Sequence, residues 1–187
     1  MIFGDDVDVA LQSAVALVNS ASSPDTLETV ADLDTFWTRF GYTGRHDRDR
    51  TELEQVREIR PTLRALLLAD RDDCVGLVND VLRRHRALPQ LERHGDTDWH
   101  LHAIDADAPL ADRIMVETAM SLVDVIRADE LSRLTICDDD DCDAIVLDLS
   151  RNRSRRYCST ACTNRNAVAA YRRRQAGTDR NGPAQVR

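Results

Sequence analysis

Four cysteines within a window of 26 residues are the feature that most constrains how this chain folds. They are Cys137, Cys142, Cys158 and Cys162, spaced C-x4-C-x15-C-x3-C. Two close pairs separated by a loop are typical of a tetrahedral site in which zinc binds four thiolates. Buried thiols without a metal, a redox-active pair and an iron–sulfur site are the alternatives, although neither pair has the thioredoxin-type C-x-x-C spacing. We therefore expect one zinc ion per chain, in a segment too small to fold without its metal.

The residues before this window carry apolar side chains at helical spacing and predict a mainly α-helical fold. The first helix is expected over about 5–20, and the second carries an apolar stripe over 33–40 that Gly41 ends. A third helix is expected to begin at a capping box of Thr51 and Glu54 and to bend at Pro61. A fourth helix is expected over 72–87 and a fifth over 109–133. Between these two helices, residues 89–106 alternate around Gly95, as a small β-hairpin does.

The pattern changes at the cysteines. Residues 144–150 predict a strand, 151–159 a turn and a second strand, and the following residues a helix capped by Ser159 or Thr160. We thus expect a helical domain over 1–133 with a small β-hairpin. A small treble-clef-like or zinc-ribbon-like finger over 134–175 and a disordered tail over 176–187 follow it. Five aspartates lie between and beside the first two cysteines, and we expect them to raise the pKa of those thiols. Cys74 lies on an apolar helix face and is expected to be a core residue.

Charge divides the chain in the same way. Residues 149–187 contain ten arginines and one acidic residue, which gives this end a formal charge of +9. Residues 1–148 contain 15 arginines and 32 acidic residues, which gives −17. Such asymmetry is typical of an acidic domain that carries a basic segment for a polyanionic partner, and a solvated charged tail is the alternative.

One stretch resembles a known family. Residues 150–174, "SRNRSRRYCSTACTNRNAVAAYRRR", resemble the CGNR zinc finger, whose Cys-Gly-Asn-Arg motif corresponds here to Cys162, Thr163, Asn164 and Arg165. Upstream, "LVNSA", "TLETVADLDTFWTRFG", "ELEQVREIRPTLRALL" and "WHLH" resemble, more loosely, the helical ABATE domain that precedes this finger in bacterial proteins. The resemblance implies a bacterial transcriptional regulator whose finger binds DNA.

The charge of the finger indicates which side chains would contact DNA. Arginines before the third cysteine and along the following helix would contact phosphates, and Asn164 and Arg165 have either a base-contacting or a bracing role. The predicted DNA-binding residues are Arg151, Arg153, Arg155, Arg156, Asn164, Arg165, Arg172, Arg173 and Arg174.

The helical domain has no catalytic motif, and we expect no enzymatic activity. We expect it instead to sense a small molecule near Asn19, Arg57 and Trp99, or to form a homodimer, for which the helix face around Leu122, Val125 and Ile126 is one candidate. No apolar run is long enough to span a membrane, and the acid-rich start is unlike a signal peptide, so a cytoplasmic location is expected. The alternative function is an adaptor whose finger binds an acidic protein.

Overall fold

The computed structural model describes residues 3–93 and 99–179, and its fold is mainly helical. The first 133 residues contain the helices α1 (Asp5–Asn19), α2 (Val30–Phe40), α3 (Arg50–Glu58), α4 (Arg60–Leu68), α5 (Arg71–Arg84) and α6 (Leu110–Arg127), with the strands β1 (Gln90–Glu92) and β2 (His100–His102). A short 3-10 turn (Leu131–Arg133) leads into β3 (Leu134–Ile136), β4 (Ile145–Leu147) and α7 (Thr160–Asp179). The predicted order of a helical domain with a small hairpin and then a four-cysteine finger is confirmed.

The core lies where α6 packs against α1 and α5. Three acidic residues in the first turn of α1 favour that helix end, because its unpaired N–H groups carry partial positive charge. Leu11 and Leu17 on α1 are fully buried, and so is Leu122 on α6. Val125 is buried beside them. The α6 face that the sequence offered for dimerisation is therefore part of the protein core.

The predicted third helix is two helices, α3 and α4, which are separated at Ile59. Pro61 explains the break, because its ring has no N–H for the carbonyl of Arg57 and clashes with it, whereas proline is tolerated in the first turn of a new helix. The predicted capping box of Thr51 and Glu54 is wrong, since the carboxylate of Asp49 accepts from the Glu52 amide at 2.8 Å and starts α3 instead.

The predicted fifth helix is too long, because α6 ends at Arg127 rather than at Arg133. Asp129 has a φ of 57°. The Glu130 amide donates to the Val125 carbonyl at 2.9 Å, which closes the helix end in a Schellman arrangement. Glycine is the usual residue at such a position, so an aspartate there does not indicate the end of a helix in the sequence.

The predicted hairpin is confirmed in its strands. β1 and β2 are antiparallel, with Leu91 opposite Leu101. The turn expected around Gly95 lies outside the described residues. Across the described part of the chain, no helix combines the length and the apolar character needed to cross a membrane.

The hairpin of the finger differs from the prediction in its partner strand. β4 pairs antiparallel with β3, which precedes the first two cysteines, and residues 151–159 form no strand. Leu134, Ile145 and Leu147 join the same hydrophobic core as the helices. The β3–β4 hairpin is thereby packed onto the helical domain. The predicted domain boundary, between residues 133 and 134, falls just before this hairpin. Helix α7 continues past residue 175 to Asp179, and residues 180–187 of the predicted disordered tail lie outside the described residues.

Candidate metal centre and nucleic-acid interface

The four predicted cysteine ligands come together at one point. The turn between β3 and β4 carries Cys137 and Cys142, and the start of α7 brings Cys158 and Cys162 to them. Their four sulfur atoms lie within 4.8 Å of one another. The Sγ atom of Cys158 is 3.6 Å from that of Cys142 and 3.7 Å from that of Cys162.

These separations fit a tetrahedral zinc site. With zinc–sulfur bonds of about 2.3 Å, the edge of a regular tetrahedron of sulfurs is about 3.8 Å. A disulfide would bring two sulfurs to about 2.05 Å, and all four cysteines are free thiols here. The site therefore has the donor set and the spacing of a four-thiolate metal centre, with zinc as the expected metal.

The cause of the raised thiol pKa is different from the expected one, which was the charge of the nearby aspartates. Burial is the largest cause of the raised pKa of Cys142 and of the rise in the pKa of Cys158 to about 12. The hydrogen bond with the Ser159 hydroxyl lowers the pKa of Cys162. The Cys162 sulfur also accepts from Arg165 Nη2 at 3.3 Å, a contact that favours the thiolate form.

Asp139 links the cysteine turn to α7. Its side chain is buried beside the metal centre and accepts from Arg165 Nε at 2.8 Å and from Asn166 Nδ2 at 2.7 Å. The Asn166 amide also donates to the Cys162 carbonyl at 3.1 Å. Such contacts behind the ligands orient a metal site. Sequence analysis missed Asp139 and Asn166 in this role. Their positions, two residues after Cys137 and four after Cys162, are the signal that could have found them.

Thr163 occupies the glycine position of the Cys-Gly-Asn-Arg motif without strain. Helix α7 begins at Thr160, so Thr163 lies in its first turn. The φ of Thr163 is not positive, and its backbone does not need a glycine. Its amide and its hydroxyl both donate to the Ser159 carbonyl, at 3.1 and 3.0 Å. The Ser159 hydroxyl accepts from the Cys162 amide, which identifies Ser159 as the capping residue.

Several of the predicted DNA-binding arginines make contacts within the protein. Arg153 pairs with Glu130 at 2.7 Å, Arg156 pairs with Asp138, and Arg165 pairs with Asp139. For Arg165, this is the bracing role that the sequence left open.

Arg155 is also used internally. Its guanidinium donates to the carbonyls of Cys158 and Leu147, at 3.2 and 3.4 Å, and its amide donates to Asp148 at 2.7 Å. These contacts give the loop before the third cysteine a fixed path.

The remaining predicted DNA-binding residues face solvent. Arg151 lies on the turn after β4, and Arg172 and Arg173 lie on α7. None of these three forms an ion pair with another residue in the ranges 3–93 and 99–179. Asn164 and Arg174 are exposed on α7 as well. The eight arginines of residues 149–178 are thus all exposed. Four of them also make contacts within the protein, and we call these the bracing arginines: Arg153, Arg155, Arg156 and Arg165.

The three predicted effector residues lie in different surroundings. Asn19 forms two hydrogen bonds with the Ile145 backbone, and Arg57 pairs with Asp25 at 3.1 Å. Trp99 is 63% exposed beside β2. Within residues 3–93 and 99–179, no hydrogen bond or ion pair joins these three side chains to one another.

Comparison with protein families gives two matches in chain order. Residues 11–129 match a family described as "ABATE: Putative stress-induced transcription regulator", and residues 133–175 match the CGNR zinc finger. The first match covers more than half of the chain, so the chain belongs to the ABATE family. A comparison with curated proteins gives no match.

Proposed function

We propose that this ABATE-family protein is a non-enzymatic, DNA-binding transcriptional regulator with one zinc ion per chain. The observation that carries the proposal is the four-thiol cluster together with the exposed arginines on either side of it. Cys137, Cys142, Cys158 and Cys162 would hold the zinc. The zinc would fix the start of α7 to the β3–β4 turn. The acidic helical domain would sense a ligand or form a dimer.

Charge favours a nucleic acid as the partner. Residues 149–178 contain eight arginines and no acidic residue. Arg151 and Arg172 lie at opposite ends of this basic segment, and both are exposed. A protein that places such cations on phosphates releases counterions, so its affinity falls as salt rises. The bracing arginines would keep the loop and the helix in place and would add little to the contact itself.

A salt titration tests DNA binding. We expect the zinc-loaded full chain to bind duplex DNA, with affinity measured by fluorescence anisotropy at several salt concentrations. Arg151→Ala should weaken binding to all sequences alike and reduce the slope of log K against log salt by about 0.9, the value for one phosphate contact. Arg153→Ala is the matched control, because Arg153 lies in the same loop but pairs with Glu130. If the wild-type protein ignores duplex DNA at low salt, the proposal is wrong.

Metal analysis tests the zinc site. Protein purified without chelator should contain about one equivalent of zinc, and Cys158→Ser should lose most of it because one of four thiolates is missing. Cys74→Ala is the matched control, since Cys74 is buried in the helical domain away from the cluster. Full zinc content in Cys158→Ser would contradict a four-thiolate site.

A second candidate function, an adaptor whose finger binds an acidic protein surface, is favoured by one observation. A shallow surface groove of about 720 Å³ beside α4 and α5 is lined by Asp72, Asp73 and Asp80, together with Arg64 and apolar side chains. The basic helix α7 of another copy would complement this groove in charge. Self-association that weakens with salt, in a protein that does not bind DNA, would select the adaptor.

A further inference from the structure

Helix α7 has two different faces. Its inner face begins with Cys162 and Asn166 and continues with Ala169, all of them at least partly buried. Its outer face carries four exposed side chains at positions i, i+4, i+7 and i+11, which align on one side of a helix. We call this set the outer stripe, and its members are Asn164, Val168, Tyr171 and Gln175.

The outer stripe has no packing partner among the described residues of the chain. Val168 is 48% exposed and Tyr171 is 57% exposed, although both side chains are largely apolar. Every residue from Tyr171 to Gln175 is exposed, so the helix projects beyond the finger. A projecting helix with a regular stripe of apolar and amide side chains is suited to insertion into a groove of matching width.

The chemistry of the stripe matches base edges. Asparagine and glutamine amides form paired hydrogen bonds with adenine in the major groove, and apolar side chains contact the methyl group of thymine. The Gln175 amide donates to the Tyr171 hydroxyl at 3.2 Å, which holds these two side chains together on the stripe. The major groove, about 12 Å wide, admits one α-helix with its side chains.

The arginines of α7 are arranged around this stripe. At 100° per residue, Arg172 lies about 80° to one side of the stripe's first residue, and Arg173 lies about 180° away, on the opposite side of the helix. Arg172 is therefore placed for the phosphates of one groove wall, whereas Arg173 faces away from the stripe. Arg165 lies about 100° from the stripe's first residue, and its guanidinium donates to Asp139 and to the Cys162 sulfur, so we do not assign it to the stripe.

We propose that α7 lies in the major groove of duplex DNA and that the outer stripe reads the base sequence. This inference rests on the proposed DNA-binding function and adds to it the residues that give specificity. The stripe runs over 12 residues, and the 11 steps between its two ends, at 1.5 Å each, give a length of about 16.5 Å. With base pairs about 3.4 Å apart, one finger reads about five of them. Asn164 and Gln175 contact opposite ends of that site.

Selection from a pool of random duplexes tests the inference with the full-length, zinc-loaded protein. The wild-type protein should select a preference of about five base pairs. Asn164→Ala and Gln175→Ala should each lose the preference at one end of the site, at different positions, and bind the selected sequence about tenfold more weakly. Arg173→Ala is the matched control on the far side of the same helix, and it should retain the wild-type preference. Zinc content and circular dichroism verify that each variant is folded.

The outcomes separate the inference from the function on which it rests. A wild-type protein that binds no duplex overturns both. A wild-type protein that binds every sequence equally retains the proposed DNA binding and overturns the reading of bases. An unchanged preference in both stripe variants, or a changed one in Arg173→Ala, also overturns the assignment of the outer stripe.

Discussion

Replacing Asn19 by alanine should destabilise the whole protein through the edge of β4. Asn19 ends α1, and its side-chain amide donates to the Ile145 carbonyl at 2.8 Å while its oxygen accepts from the Ile145 amide at 2.7 Å. The backbone groups of Ile145 point away from β3, since the flanking residues form the paired hydrogen bonds with that strand. The Asn19 side chain therefore takes the place of a neighbouring strand.

The magnitude follows from the two backbone groups that lose their partner. Ile145 is 1% exposed, so its N–H and C=O are left without partners in a buried place. Each buried group without a partner costs about 1–3 kcal/mol, so Asn19→Ala should lower the free energy of unfolding by about 3 kcal/mol. For a chain of this size, the melting temperature should fall by about 6–12 °C.

Urea unfolding of the zinc-loaded protein, followed by circular dichroism, measures this change. Asn152→Ala, on the exposed turn after β4, is the control and should change stability by less than about 0.5 kcal/mol. A loss below about 0.5 kcal/mol in Asn19→Ala would refute the reasoning, and Asn19 would then return to the group of candidate ligand contacts.

Two further predictions concern carboxylates. Asp139→Ala should weaken zinc binding about tenfold in a competition with a chelator, because the contact that orients Arg165 against the Cys162 sulfur is lost. Asp140→Ala is the control, since it makes the same charge change at an exposed position, and it should bind zinc as the wild type does. Equal zinc affinity in the two variants would show that Asp139 does not support the site. The hydrogen bond from Arg60 lowers the pKa of Asp25 below its usual 3.8. The stability that this carboxylate supplies is therefore fully present above that value and is lost as the pH falls through the lowered pKa. Denaturation between pH 2 and 6 should show a smaller acid loss in Asp25→Asn than in the wild type, and identical pH profiles would count against the pair.

The sequence by itself determined the features that depend on local pattern. The spacing of four cysteines predicted one cluster, because zinc imposes the same ligand separation wherever the chain supplies two close pairs. Helical periodicity located most helices to within a few residues, and the charge division located the basic finger. The local pattern does not predict the start of α3 or the end of α6. Asp49 caps α3, although Thr51 and Glu54 match the capping-box pattern better, and Asp129 ends α6 in a conformation that glycine usually adopts.

Only the tertiary structure decided which side chains are used inside the protein. Arg156 and Arg173 look alike in the sequence, yet Arg156 pairs with Asp138, whereas Arg173 forms no ion pair in the described ranges. The sequence predicts Asn19 as a ligand contact, because nothing near it along the chain shows that Ile145, 126 residues later, lies beside it. Hydrogen bonds and ion pairs join atoms that are close in space, and the separation of their residues along the chain is set by the fold.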